Sequence, residues 1–411
     1  MSQSLSYVMV TPYTIAKSRT GGVIARLLSR TDLELAGAQI MAPDEAFVHT
    51  YAASLRKREP ANELSLLAAY VEKNMVPSEG RRHRTLLLIF RGENACEKLL
   101  AACGHIDTTQ IAVDAMKGET IRDTYADLIF SRDTNGEVNY FEPAVLTARI
   151  QKDADSDLAL FARFLESQPN IIRNINYADP AAIEKTLVII KPDNWIFNSS
   201  RPGTIIDMFS RTGLRIIGIK VHRFSLDEAL EFYGPVEEAL RKNLAPGFGK
   251  RAREMLEKEF RITLSAESAE TISREFGAEC ARDQFAQIIA FMCGKRPGSC
   301  SGKERLGPGS VKCMILVYEG EDAVKKIRDV LGPTDPLKAP EGTVRREFGS
   351  NVMINTAHAS DSPQSFEREK NIVKTDENTL SDVIKNYLAE RPGQKPAADG
   401  LLDSGRRPGA T

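Results

Sequence analysis

The feature that most limits what this chain can become is that its two halves repeat one another. Tyr7-Val-Met-Val-Thr11-Pro12-Tyr13 parallels Leu187-Val-Ile-Ile-Lys191-Pro192-Asp193. Each is followed by a glycine and an apolar-periodic helix that ends in Ser-Arg-Thr, at Ser29 to Thr31 and at Ser210 to Thr212. Leu86 to Phe90 with Arg-Gly92-Glu-Asn-Ala95 parallels Met314 to Tyr318 with Glu-Gly320-Glu-Asp-Ala323, and Gly118-Glu-Thr-Ile-Arg122 parallels Gly342-Thr-Val-Arg345 with one residue inserted. A repeat of this size means that one structural unit is built twice. The order in each half is strand, helix, strand, helical segment, strand, helix, returning strand. That order predicts an α+β chain of two tandem ferredoxin-like βαββαβ units, each an antiparallel sheet covered by helices on one face.

The boundaries follow from the same comparison. Residues 1–145 form the first unit, 146–184 a helical linker with an amphipathic stretch over Asp155 to Glu166, and 185–375 the second unit. The segment between its second and third strands is far longer than in the first unit and reads as a helical insertion at about 240–310. Residues 376–411 read as a C-terminal helix followed by a tail, from about Arg391, whose Pro, Gly and small polar residues predict disorder.

Composition narrows the function classes. Of 411 residues, 42% are hydrophobic and 27% charged, as in ordinary soluble globular proteins. A formal net charge of −1 argues against binding to nucleic acid, where a basic surplus is expected. Arg81-Arg82-His83-Arg84 is the one tight basic cluster and reads as a solvated loop. The six cysteines have neither CxxC pairing nor metal-ligand spacing, so no protein metal site is expected. No signal-peptide pattern and no run of eighteen apolar residues is present, which predicts a cytoplasmic protein with no membrane association.

The chemistry is concentrated in the second half. Asn355-Thr-Ala-His358-Ala-Ser360-Asp361-Ser362-Pro363 sets a histidine beside a hydroxyl and a carboxylate where a helix should begin. Ser362 suits the N-cap, Pro363 the first helical position, and Glu367 and Glu369 follow within the first turns. The free N–H groups of such a helix start favour a phosphate, and histidine offers a neutral nucleophile at physiological pH. Upstream lie the strand Thr186 to Lys191 running into Lys-Pro-Asp193, then Leu331-Gly-Pro-Thr334-Asp-Pro, then Gly342-Thr-Val-Arg345.

From about Lys185 to Val373 this arrangement resembles the nucleoside diphosphate kinase family, marked in order by a KPD strand end, an LGxTxP loop, GT[IV]R and NxxHGSD. The resemblance implies that His358 takes the γ-phosphate of a nucleoside triphosphate as a phosphohistidine and passes it to a nucleoside diphosphate, with ping-pong kinetics. It implies that Lys191 contacts ribose and phosphates, Asn355 the ribose, and Arg328, Thr334, Arg345 and Tyr233 the phosphates. Val352 would lie against the base, and Ser360 and Glu369 would hold the imidazole and a phosphate oxygen. Mg2+ would bridge the phosphates, coordinated mainly by them and by water. The family forms multimers, so a homo-oligomer is expected.

Three departures stand out: Ala359 replaces the motif glycine, and Met353 and Ile354 replace the usual Gly-Arg before Asn355. In the first half Thr11 stands for Lys191, Leu100 for Arg328, and Glu142 for His358, with only Arg122 and Asn139 kept. The first half therefore reads as a non-catalytic copy. The competing function is a nucleotide-binding regulatory or scaffolding protein with weak or no turnover, and a histidine phosphocarrier is a third reading.

Overall fold

A computed structural model describes residues 3–106, 118–130, 138–243 and 245–391. The first half runs β1 (Ser4–Val10), α1 (Pro12–Ala16), α2 (Thr20–Arg30), β2 (Glu34–Met41), α3 (Glu45–Arg56), α4 (Ala61–Asn74), β3 (Thr85–Gly92), α5 (Ala95–Cys103) and α6 (Ile121–Tyr125). A hairpin of β4 (Asp127–Phe130) and β5 (Val138–Glu142), the short β6 (Val145–Leu146) and α7 (Gln151–Glu166) complete it. The second half runs β7 (Ile183–Ile190), α8 (Arg201–Ser210), β8 (Arg215–His222), α9 (Leu226–Asn243), α10 (Ala245–Phe260), α11 (Ala266–Cys293) and α12 (Lys303–Leu306). It continues through β9 (Cys313–Glu321), α13 (Ala323–Leu331), α14 (Val344–Phe348), β10 (Ala357–Ala359), α15 (Pro363–Ile372) and α16 (Leu380–Ala389).

Each half has one four-stranded sheet, ordered β2-β3-β1-β6 and β8-β9-β7-β10, and every pairing is antiparallel. This is one ferredoxin-like topology built twice, as the repeat predicts. Both second strands carry an irregularity at the same place, between Leu35 and Gly37 and between Ile216 and Gly218. The insertion is helical, formed by α10 and α11 after an extended α9. These two helices approach closely through small residues: a Cβ on Gly277 would lie 2.1 Å from the Ala245 carbonyl oxygen.

Two expectations are corrected. Helices cover both faces of the first sheet, because β1 is apolar on both: Val8 and Val10 face one core, and Leu5, Tyr7 and Met9 face another that includes Phe161 of α7 and Ile384 of α16. The range 146–184 also does not begin as a linker. Leu146 pairs with Met9 inside the first sheet, and α7 packs its apolar side against that sheet. The tail expected to be disordered lies outside the described residues from 392 onward.

The halves meet about a pseudo-twofold axis, with α2 against α8 and β2 beside β8. A Cβ on Gly203 would come within 2.2 Å of the Gly21 carbonyl oxygen, so the helices can touch only with glycine there. Lys312 Nζ donates to the Leu35 carbonyl at 3.3 Å, and the symmetry-equivalent Arg84 donates through Nη1 to the Ile216 carbonyl at 2.8 Å. Arg84 is therefore held at this junction and is not the solvated residue expected. Among the described residues no helix is long and apolar enough to cross a membrane.

Candidate active site around His358

His358 is the middle residue of β10 and lies opposite Ile189 of β7. The helix start expected behind it is present: the Ser362 hydroxyl accepts from the Ser365 N–H at 3.1 Å, and Pro363 opens α15. That cap sets the phase of α15 and so brings Glu369 back towards β10. Its Oε1 lies 3.0 Å from His358 Nε2, and its Oε2 accepts from the Ser360 hydroxyl at 2.7 Å. Glu369 and Ser360 are buried, and the Leu187 N–H donates to Ser360 Oγ at 3.3 Å. Ser360 thus orients Glu369, and Glu369 orients the imidazole. His358 Nδ1 has no hydrogen-bond partner among the described residues.

A second group forms at the end of β7. Lys191 Nζ donates to Asn355 Oδ1 at 2.6 Å, while Asn355 Nδ2 donates to the carbonyls of Thr334 at 3.0 Å and Val352 at 2.8 Å. This links the Lys-Pro-Asp turn, the Thr334 loop and the strand that leads into His358. Burial, with Arg345 adding to it, brings the Lys191 ammonium down to about 7. Arg345 donates from Nη1 to the Gly332 carbonyl and from Nη2 to the Ala357 carbonyl, both at 3.0 Å, and its buried Nε has no partner among the described residues. Burial and the nearby Arg328 charge lower its affinity for a proton, to about 10. Arg328 and Thr334 are exposed, and Val352 is exposed at 57%.

Tyr233, on α9, is buried with its ring centroid 6.3 Å from that of His358, and its hydroxyl has no partner among the described residues. Phe232 packs edge-on against the imidazole at 5.2 Å. The insertion also reaches the site, since Phe291 of α11 lies with its ring centroid 6.0 Å from Lys191 Nζ.

Three residues were missed in the sequence. Arg201 Nη2 binds Asp193 at 3.0 Å, the Phe348 carbonyl at 2.5 Å and the Thr356 hydroxyl at 2.8 Å. Asn194 Nδ2 donates to the Thr356 carbonyl at 2.8 Å. Together they hold Thr356 at φ +75°, a left-handed conformation that a β-branched residue adopts only when its surroundings enforce it. Arg368 ties α15 to α9, donating to the Phe232 carbonyl at 3.2 Å and lying 3.6 Å from Glu369. Only Arg201, at the start of the helix after Lys-Pro-Asp, offered any local signal.

The first half is confirmed as a repeat in detail and corrected in register. Arg122 donates to the carbonyls of Gly104 and Val145 just as Arg345 does to Gly332 and Ala357. Val145 lies opposite Val10 as Ala357 lies opposite Ile190, so the residue in the place of His358 is Leu146, not Glu142. Glu142 closes β5, outside the main sheet. It accepts from Thr11 at 2.9 Å and Tyr70 at 2.8 Å, and it does not pair with Arg122. Burial raises its carboxyl above the usual range. The counterpart of Glu369 is Asp157, which binds Tyr7 and Arg58, both at 2.7 Å. The Asn139 side chain lies outside the described residues.

Known proteins resemble this chain in sequence. The nucleoside diphosphate kinase family model matches residues 305–378. The nucleoside diphosphate kinase of Bdellovibrio bacteriovorus is 31% identical over 188 residues, spanning 46% of this chain and 90% of that protein. That of Halorhodospira halophila is 29% identical over 188 residues, again 46% and 90%. A crystal structure of an NDP kinase from Pyrobaculum aerophilum is 28% identical, covers 46% of this chain and 94% of that one, and aligns with a TM-score of 0.32. With motifs in order, a duplicated ferredoxin-like fold, and a relative matched over nearly its whole length, this chain belongs to the nucleoside diphosphate kinase family.

Proposed function

We propose that this protein transfers the terminal phosphoryl group of a nucleoside triphosphate to a nucleoside diphosphate, with His358 as carrier and one working site per chain. The observation that supports this most is the clamp on His358. With Nε2–H donated to Glu369 at 3.0 Å, the lone pair is on Nδ1, the nitrogen without a partner. The Nδ1 lone pair forms the bond to the γ-phosphorus while the bond to the β,γ-bridging oxygen breaks, and the diphosphate leaves with that electron pair. An acceptor diphosphate then attacks the phosphohistidine through a terminal β-phosphate oxygen and restores the imidazole. As positive charge develops on the ring, the Glu369 carboxylate stabilises it.

In this reading Arg328, Arg345, Thr334, Tyr233 and Lys191 take the phosphates, Asn355 the ribose and Val352 the base. Tyr233 Oη and Arg345 Nε are buried donors without partners among the described residues, as expected of a site that a phosphate completes. Magnesium belongs to the substrate. Among the described residues no three His, Cys, Asp or Glu side chains could hold a metal, and the nearby Asp193 and Glu369 carboxylates are taken by Arg201 and by His358 with Ser360. A cytoplasmic setting and assembly into a homo-oligomer are part of the same proposal, and all six cysteines are free thiols.

The test is incubation with γ-labelled ATP and Mg2+. The expected result is an acid-labile label on wild type that GDP discharges, and none on His358→Ala. Label retained at the wild-type level in His358→Ala would remove His358 from the mechanism. Label that forms but is not discharged by any diphosphate would favour the regulatory reading.

A further inference from the structure

The pseudo-twofold junction is balanced at one end and unbalanced at the other. At the balanced end, Glu34 at the start of β2 lies 3.0 Å from Arg223 and 3.6 Å from Lys312. At the other end the symmetry-equivalent position is Arg215, at the start of β8, and the equivalent of Lys312 is Arg84. Two arginines therefore face one another where the first end has a lysine and a carboxylate. Burial and then the Arg215 charge lower the proton affinity of Arg84, and burial with a contribution from Arg81 lowers that of Arg215.

Glu319 attracts both arginines, yet among the described residues no carboxylate lies within ion-pair distance of either, and the nearby acids have other partners. Glu319 accepts from the Tyr177 hydroxyl at 2.7 Å and lies 3.7 Å from Lys185, and Asp207 accepts from the Gly22 N–H at 3.2 Å. Arg84 and Arg215 open onto a cleft between the halves with Thr20, Asp207 and Tyr318. Among the described residues Arg215 Nε has no partner, nor has the hydroxyl of Tyr318, whose side chain is 1% exposed. Burial of unpaired cations and of an unpaired hydroxyl is costly, so the arrangement calls for an acceptor. The cleft measures about 50 Å³. At roughly 10–15 Å³ per water position, that is room for a few water-sized groups and not for a nucleotide.

We propose that this cleft binds a small inorganic oxyanion, held by Arg84, Arg215 and the Tyr318 hydroxyl in the place that Glu34 fills at the opposite end. The anion completes the charge pattern of the junction and ties the two halves together. Arginine suits the role because its planar fork matches two oxygens of a tetrahedral anion.

The test uses the full chain in a low-salt, phosphate-free buffer, melted against increasing inorganic phosphate, with sodium chloride at matched ionic strength as the control. The expected result is a saturable rise in Tm, about 3 °C at a hundredfold excess over Kd. Because phosphate can also enter the nucleotide site, Arg328→Ala is melted in parallel and keeps the response, whereas Arg215→Gln loses it. Without phosphate, Arg215→Gln should melt at or above the wild-type temperature, since one of two facing cations is gone. Arg215→Lys keeps the charge and should need at least about fivefold more phosphate, the bidentate contact being lost. The proposal is overturned if sodium chloride reproduces the rise, if Arg215→Gln keeps the response, or if Arg215→Gln lowers the phosphate-free Tm.

Discussion

Replacing Glu369 by Gln isolates what the clamp does for His358. The substitution keeps the volume of a buried side chain but leaves one oxygen for two donors, His358 Nε2 at 3.0 Å and Ser360 Oγ at 2.7 Å. One of them must then face an amide N–H, at a cost of about 1–3 kcal/mol for an unsatisfied buried group. The larger effect is on the transition state. In the ground state the imidazole is neutral, and as Nδ1 takes the phosphoryl group the ring becomes cationic. The carboxylate is then worth about twice a neutral acceptor. A loss of about 2–4 kcal/mol in transition-state stabilisation follows, or about 30-fold to 1000-fold in rate. Rapid quench of phosphohistidine formation measures it directly. Glu369 touches no proposed nucleotide contact, so the concentration of ATP giving half-maximal rate should stay within about twofold of wild type. A folded Glu369→Gln variant that forms phosphohistidine within threefold of the wild-type rate would show that the clamp is structural only.

Three more outcomes follow from the geometry. Arg328→Ala should lower transfer by the loss of a charge-assisted contact, about 1.5–3 kcal/mol, and leave Tm unchanged, whereas Arg345→Ala should lower both because it strips the carbonyls of Gly332 and Ala357 of their partners; equal melting temperatures for the two variants would contradict this. Glu142→Ala should leave transfer within about twofold but lower thermal stability, because Thr11 and Tyr70 lose their acceptor, and a loss of activity as deep as that of His358→Ala would make the first half catalytic. Lys191 titrates near 7 in the folded protein and near 10.4 when unfolded, so above pH 7 the unfolded chain binds more protons and stability rises with pH, by about 1 kcal/mol from pH 7 to 8. Denaturant melts of wild type and Lys191→Met at the two pH values check this, and a rise that survives in Lys191→Met refutes the assignment.

The sequence by itself determined the architecture and named candidate site residues by motif, though not Arg201, Asn194 or Arg368. The repeat dictated two βαββαβ units, because apolar alternation and turn chemistry are local and each copy carries the same ones. The Ser362-Pro363 cap and the buried face of α13, at Ala323, Val324, Ile327 and Leu331, are likewise local, which is why the helices could be read before any contact was known. Only the tertiary structure decided which residues act on which. The two-residue β6 is too short to show a period, so its register was invisible, and with it the fact that Leu146 and not Glu142 stands in the place of His358. The locking of Thr356 by Arg201, 155 positions away in the chain, has no local signature either. Hydrogen-bond partners across such separations are set by how the sheet closes. The unequal charges at the two ends of the junction arise in the same way, from positions that meet only when one copy of the fold packs against the other.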